Sequence, residues 1–244
     1  MRSRAPAPSR DLGLFLDVDG TLIELAETPS AVIVDASLKR LLTRVSERLG
    51  GALALVSGRS IEVLDQLFAP LVLPAAGLHG VERRSASGDR RGTSRSDSAL
   101  ESARGTLGAF AEAHPGTLLE DKGRALALHF RLAPQFEAGA RQAVAAAARP
   151  LAPGYHVQEG KMVLEIKPCG VTKATAIEEF MREPPFCGRV PVAVGDDLTD
   201  QSAFRLVEAL GGISMAVGHR VQGQWRFHNP AALRRWLASI AALG

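Results

Sequence analysis

The chain has 244 residues, 46% of them hydrophobic and 5% aromatic, and a formal charge of +3. That length supports a large domain or a core with an inserted subdomain, and no apolar run of about 18 residues exists to span a membrane. The mild positive balance fits a small anionic substrate as well as nucleic acid, and the interspersed charges and scarce aromatics weigh against nucleic acid.

Met1 to Arg10 carries arginines and prolines without a signal-like apolar stretch, and reads as a loose tail. Leu12 to Leu16 is an apolar run leading into Asp17-Val-Asp-Gly20, and reads as a strand buried on both faces. Ala36 to Leu49 has apolar residues at 38, 41, 42, 45 and 49, close to a helical period. Ala52 to Val56 is a second buried strand ending in Ser57-Gly-Arg59. Ser60 to Phe68 predicts a helix, and Leu71 to Leu73 a weaker strand. Ser85 to Ser98 is rich in Ser, Arg and Gly and reads as a loop or linker.

The middle of the chain changes character. A helix at 99 to 113 precedes a hairpin of Thr117 to Glu120 and Arg124 to Arg131, with Asp121-Lys-Gly123 near the turn. Ala138 to Arg149 is an alanine-rich helix, and Tyr155 to Glu159 with Met162 to Lys167 forms another hairpin around Gly160. Lys173 opens a helix-like segment. Val192 to Val194 then reads as a buried strand leading into Gly195-Asp-Asp197, Thr199 to Leu210 as a helix, Ile213 to Val217 as a weaker strand and Pro230 to Leu243 as a final helix.

Strands alternating with helices predict an α/β fold, a Rossmann-like parallel sheet covered on both sides. The hairpin-rich stretch predicts a smaller α+β insert at 95–168, between core segments 1–94 and 169–244. Cys169 and Cys187 lack metal-type spacing, and a disulfide framework is out of character for this length, so the expected compartment is the cytoplasm. A monomer is expected.

In an open parallel sheet, ligands sit beyond the carboxyl ends of the strands. Three of the expected strands end there in reactive residues: Asp17 and Asp19, Ser57 and Arg59, Asp196 and Asp197. Taken singly, such residues are often helix N-caps, and Ser57 or Asp200 alone is read equally well that way. Two carboxylates two residues apart repel unless a positive charge sits beside them. A hard divalent cation meets that need, with Asp17 and Asp196 supplying oxygens to Mg²⁺. No His or Cys cluster argues for zinc.

Such a site suits phosphoryl chemistry. Gly20 and Thr21 would bring an N–H and a hydroxyl to phosphate oxygens, Gly58 would let the backbone approach, and Lys173 would add a point charge. Only five of the 29 basic residues are lysine, and four of those lie between 122 and 173. Compositional drift towards arginine and a need for a compact ammonium both account for this. His79 fits either a substrate-positioning role or a satisfied loop histidine. The other histidines have no partners by spacing, Arg59 and Glu82 either pair or are exposed, and Trp225 and Trp236 read as packing residues.

Asp17-Val-Asp-Gly-Thr-Leu22, Ser57, Lys173 and Gly195-Asp-Asp-Leu-Thr-Asp200 resemble, in order and spacing, the four motifs of the haloacid-dehalogenase-like phosphatases. Finer features resemble the trehalose-6-phosphate phosphatase family: Gly77-Leu-His-Gly-Val-Glu82, Leu119-Glu-Asp-Lys-Gly123 with Leu126 to Arg131, and Gly160-Lys-Met-Val-Leu-Glu165 with Lys167 and Pro168. Gln201 departs from the acid common at that position in relatives, and the Arg-rich segment 83–95 matches nothing in the pattern.

The resemblance implies that Asp17 attacks phosphorus to form an aspartyl-phosphate and that Asp19 serves as acid and then base. It implies metal ligation by Asp17, the Asp19 backbone carbonyl and Asp196, with Asp197 and Asp200 orienting that shell. Ser57 and Lys173 would hold phosphoryl oxygens. Glu120, Lys122, Arg131, Lys161 and Glu165 would bind the sugar, on an insert that closes over substrate. The core motifs alone do not separate trehalose 6-phosphate from a sucrose phosphate or a mannosyl-phosphoglycerate type of substrate. A receiver-type signalling domain shares the phosphorylated Asp, the acid cluster, Ser/Thr and Lys, but the length, the insert and Asp19 count against it.

Overall fold

The computed structural model describes residues 6–25, 32–92, 98–160 and 162–243. The chain divides into two compact units, Met1–Arg91 with Thr172–Gly244, and Gly92–Val171. In chain order the first unit begins β1 (Leu12–Leu16), α1 (Ala36–Arg48), β2 (Leu53–Val56), α2 (Ile61–Phe68), β3 (Ala75–Gly77), β4 (Glu82–Arg84) and β5 (Arg90–Arg91). The second unit follows with α3 (Glu101–Ala113), β6 (Leu118–Asp121), β7 (Leu126–His129), α4 (Glu137–Ala148), β8 (Tyr155–Gly160) and β9 (Val163–Pro168). The first unit is then completed by α5 (Lys173–Met181), β10 (Val190–Gly195), α6 (Gln201–Ala209), β11 (Ile213–Val217), β12 (Trp225–Phe227) and α7 (Pro230–Ala241).

The first unit's sheet runs β12-β11-β10-β1-β2-β3-β4-β5. Its members from β12 to β3 pair in parallel, while β4 and β5 add antiparallel at one edge. Every residue of β1 and β2 is buried, as strands covered on both faces require. Phe15 on β1 stacks on Phe186 at 5.2 Å between ring centroids, and Phe186 lies 5.1 Å from Phe180 of α5. Such ring pairs add about 0.5–1.5 kcal/mol beyond the area they bury.

The helices start where the sequence supplies caps. Asp35 accepts from Leu38 N at 2.8 Å, Asn229 from Ala232 N at 2.9 Å, and Thr172 and Thr175 cap α5 reciprocally. Each such cap contributes about 1 kcal/mol. Leu38, Leu42 and Val45 form the buried stripe of α1, which packs on α7.

Two expectations are corrected. Leu71 to Leu73 is not a strand; Pro70 and Pro74 bracket it, and the strand position goes to Ala75–Gly77 instead. Ser85 to Ser98 is not all loop, since Arg90–Arg91 pairs with β4; residues 93–97 lie outside the described residues. The arginines just before it are structural. Arg83 is buried over the Phe180 ring, 4.1 Å from its centroid, and pairs with Glu183. Arg84 is buried against Asp65 and the Leu73 carbonyl, and Arg90 also reaches Asp65. Hydropathy does not find a strand edge built from arginines.

The second unit is a four-stranded antiparallel sheet, β6-β7-β9-β8, against α3 and α4. Leu126, Leu128, Leu164 and Ile166 pack with Leu107 and Val144 in its core. The opposite rows carry Glu120 across from Ala127, Ala127 across from Glu165, and Glu165 across from Gln158.

Candidate active site

The strand order turns at β1. β2 and β3 extend one way and β10 and β11 the other, so the crevice at the carboxyl ends of β1 and β10 is where ligands bind in such sheets. Asp17 follows β1 and Asp196 follows β10, with Asp17 N donating to Val194 O at 3.0 Å. Carboxylate oxygens of Asp17, Asp196 and Asp200 lie within 4.8 Å of one another, and all three residues are buried.

Lys173, the first residue of α5, is also buried and donates to Asp17 Oδ1 at 2.7 Å and Asp200 Oδ1 at 2.6 Å. Three carboxylates thus face one ammonium. Burial pushes the Asp17 carboxyl well above the usual range, with Asp200 and Asp196 reinforcing the rise and Lys173 opposing it. Burial, then Asp200 and Asp197, raises Asp196 to about 6, against weaker pulls from Lys173 and Arg220. For Lys173, burial acts downward, but Asp17 and Asp200 outweigh it and hold its pKa above the ordinary value.

The backbone is built for these contacts. Asp200 Oδ2 accepts from the N–H groups of Asp196 and Asp197, both at 3.1 Å. A Cβ on Gly195 would stand 2.1 Å from the Asp200 carboxyl carbon. Gly20 has a φ of +80° and would place a Cβ 2.3 Å from Asp196 Oδ2. Both close approaches require glycine.

The remaining expected residues of this unit fall around the cluster. Thr21 is buried and donates from its hydroxyl to Asp196 Oδ1 at 3.3 Å. Ser57 is buried at the end of β2, and its Oγ accepts from Arg59 N at 3.2 Å. Gly58 lies flush against the His79 ring, where a Cβ would be 2.9 Å from Nε2. His79 N donates to Ser57 O and Leu78 N to Arg59 O, both at 2.9 Å; Leu78 and His79 have positive φ of 50° and 58°. Asp197 is exposed and accepts from Leu198 N, so its side chain caps the turn Leu198–Asp200 while its N–H steadies Asp200. The Asp19 carboxyl is not one of the clustered three and is held by Arg59, whose Nε donates to its Oδ2 at 2.6 Å and Nη2 to its Oδ1 at 2.7 Å.

In the second unit, Lys122 Nζ lies 3.0 Å from Glu165 Oε1 and 3.7 Å from Glu120 Oε2. His129 Nε2 lies 2.9 Å from the same Glu120 oxygen. The His129 contact, then Lys122, holds the Glu120 carboxyl below its ordinary value despite partial burial. Arg131 is exposed after β7, and Lys161 lies outside the described residues.

The sequence left two of these residues without their place. Arg59 binds Asp19, not Glu82; Glu82 accepts from Ile61 N at 2.7 Å. His129, given no role, contacts Glu120. Of these two, only Arg59 carried a sequence signal, its position two residues past Ser57 at a strand end. Asp200, expected to orient the metal shell, stands within the acid cluster itself.

The family model described as trehalose-phosphatase matches residues 15–235. A Sinorhizobium fredii protein named "Probable trehalose-phosphate phosphatase" is 44% identical over 233 residues, covering 94% of this chain and 88% of the relative. The Escherichia coli trehalose-6-phosphate phosphatase is 40% identical over 239 residues, covering 98% and 90%. A solved trehalose-6-phosphate phosphatase related protein superposes with a TM-score of 0.78 at 26% identity, covering 94% of this chain and 96% of that one.

Proposed function

The chain belongs to the trehalose-phosphatase family, and we propose that it hydrolyses trehalose 6-phosphate to trehalose and phosphate in trehalose biosynthesis, with Asp17 as nucleophile and Mg²⁺ as cofactor. One observation carries the reading of the site: Asp17, Asp196 and Asp200 gathered with Lys173 at the β1/β10 crevice. The 40–44% identity to proteins named for this activity favours trehalose 6-phosphate over other sugar phosphates, and family membership sets a receiver-type switch aside.

The donor set fits a hard divalent cation. All the clustered ligand atoms are carboxylate oxygens, and three carboxylates against one ammonium leave two negative charges for it to balance. Asp17 and Asp196, with the backbone carbonyl of Asp19, would hold Mg²⁺, and Asp200 would orient them. When bound, the ion supplies charge stabilisation to the phosphoryl group.

The chain's own groups account for the rest. Asp17 Oδ attacks phosphorus, the bond from phosphorus to the sugar oxygen breaks, and Asp19 gives that oxygen its proton. Water then attacks the aspartyl-phosphate, Asp19 takes the water's proton, and the bond from phosphorus to Asp17 breaks. Ser57, Gly58 and Thr21 face the phosphoryl oxygens, with Lys173 offsetting their charge and His79 bracing the Ser57–Arg59 loop. Glu120, Lys122 and Glu165, with Arg131 and Lys161, select the sugar by hydrogen bonds to its hydroxyls.

The reaction is a small-molecule one, and no helix among the described residues is long and apolar enough to cross a membrane. We place the enzyme in the cytoplasm as a monomer, as the sequence led us to expect. Phosphate release over a panel of sugar phosphates and a generic aryl phosphate, by wild type and Glu165→Ala, tests the proposal. Wild type should turn over trehalose 6-phosphate best, and Glu165→Ala should lose far more on it than on the aryl ester. Preference for another sugar phosphate would overturn the substrate, and equal losses the role of Glu165.

A further inference from the structure

Arg59 is a charged side chain at the site to which the reaction gives no task. It sits on the loop after β2, and its guanidinium grips both oxygens of Asp19, with contacts of 2.6 and 2.7 Å. The Arg59 side chain is 12% exposed and that of Asp19 30%, so the pair lies at the rim of the buried acid cluster. For an ion pair so little exposed, desolvation offsets much of the attraction, so its presence is weak evidence of a stabilising role. Stability alone therefore does not explain it.

Both partners have fixed backbones. Arg59 N donates to Ser57 Oγ at 3.2 Å, and Arg59 O accepts from Leu78 N at 2.9 Å. That Leu78 holds a left-handed φ of 50°, and Gly77 beside it leaves no Cβ to meet the Arg59 carbonyl, which would be 2.9 Å away. On the other side, Asp19 bridges to Ile23, and Gly20 N donates to Ile23 O at 2.8 Å. What these backbones leave open is the plane of the Asp19 carboxyl. A two-nitrogen fork fixes such a plane, and an ammonium does not.

We propose that Arg59 is the positioning residue for Asp19, holding its carboxyl in the orientation from which it serves the departing sugar oxygen. The inference rests on the reading of Asp19 as acid and base. An alkoxide of a sugar is a poor leaving group and needs a proton as it departs, whereas nitrophenolate does not. Loss of positioning should therefore depend on the leaving group, and a merely structural loss should not.

The test compares kcat/KM, which stops at departure of the leaving group, for trehalose 6-phosphate and for p-nitrophenyl phosphate. Arg59→Ala should lose about a hundredfold on the sugar phosphate, in the range of a general acid's contribution, and less than about tenfold on the aryl ester. Arg59→Lys, which keeps the charge without the fork, should fall between wild type and Arg59→Ala on the sugar phosphate. Adding Arg59→Ala to Asp19→Asn should cost no more than Asp19→Asn alone. Equal losses on both esters, or a further large loss in the double variant, would overturn the proposal. If Arg59→Ala does not fold, Arg59→Lys and Arg59→Gln carry the same comparison. Should wild type itself fail on trehalose 6-phosphate, the proposed substrate falls, and any other alkyl phosphate that it hydrolyses still decides the role of Arg59.

Discussion

At the scale of single residues, Lys173 has the most exacting position. Its ammonium is the counter-charge for two carboxylates at 2.7 and 2.6 Å, and all three groups are buried. Removing one member of a buried pair leaves charge without compensation, at a cost of about 3–5 kcal/mol. Lys173→Met, which keeps the stem volume, should lower unfolding stability by that amount above about pH 7. The loss should shrink in acid, where Asp17 and Asp196 hold protons. A denaturant midpoint unchanged at either pH would count against the charge balance. Lysine suits this place because a compact ammonium contacts two separate oxygens, which gives the surviving lysine at 173 a physical reason. Asp17, Asp196 and Lys173 were legible because each sits at the start or end of an element that the hydropathy pattern marks. The Arg59–Asp19 fork was not, since no spacing rule says which of two nearby acids, Asp19 or Glu82, a flexible arginine will meet.

At the scale of elements, the site depends on how closely β10 and the turn after it approach. Gly195 ends β10 with Asp200 folded back over it, so a methyl group there would collide with the carboxyl carbon at 2.1 Å. Gly195→Ala should displace Asp200, free the N–H groups of Asp196 and Asp197, and lower kcat at least tenfold while the protein stays folded. Full activity would show that Asp200 does not need its present seat. Helix starts were the most legible elements, because Asp35, Ser60, Thr172 and Asn229 all cap through side chains that the sequence displays. Edge strands were the least legible. Glu82–Arg84 buries two arginines through ion pairs to Glu183 and Asp65, Arg90–Arg91 is a two-residue exposed strand, and Trp225–Phe227 has only three residues with which to show a pattern.

At the scale of the whole molecule, the acid cluster couples stability to pH and to metal. Asp17 and Asp196 have pKa values raised above the ordinary 3.8, so the native state keeps protons that the unfolded chain has already released. Stability of the metal-free protein should therefore fall as pH rises from 3.8 through the raised values, to about 6 for Asp196. Mg²⁺ bound to the deprotonated cluster should reverse that loss, raising the thermal midpoint more above about pH 7 than at about pH 5. An equal rise at both pH values, or none, would argue against metal binding by these carboxylates. The parallel sheet and the edge where the acids gather were readable from alternating runs along the chain. Which acids meet one another was a tertiary outcome: Asp200 joins the cluster through the turn that follows β10, and the Asp19 carboxyl pairs with Arg59.

The central claim is that Asp17 becomes covalently phosphorylated. Rapid acid quenching during turnover of trehalose 6-phosphate carrying radiolabelled phosphate tests it directly. The label should appear on the peptide containing Asp17 and disappear in a folded Asp17→Asn variant together with phosphate release. Sustained turnover by Asp17→Asn, or label on a different residue, would contradict the account.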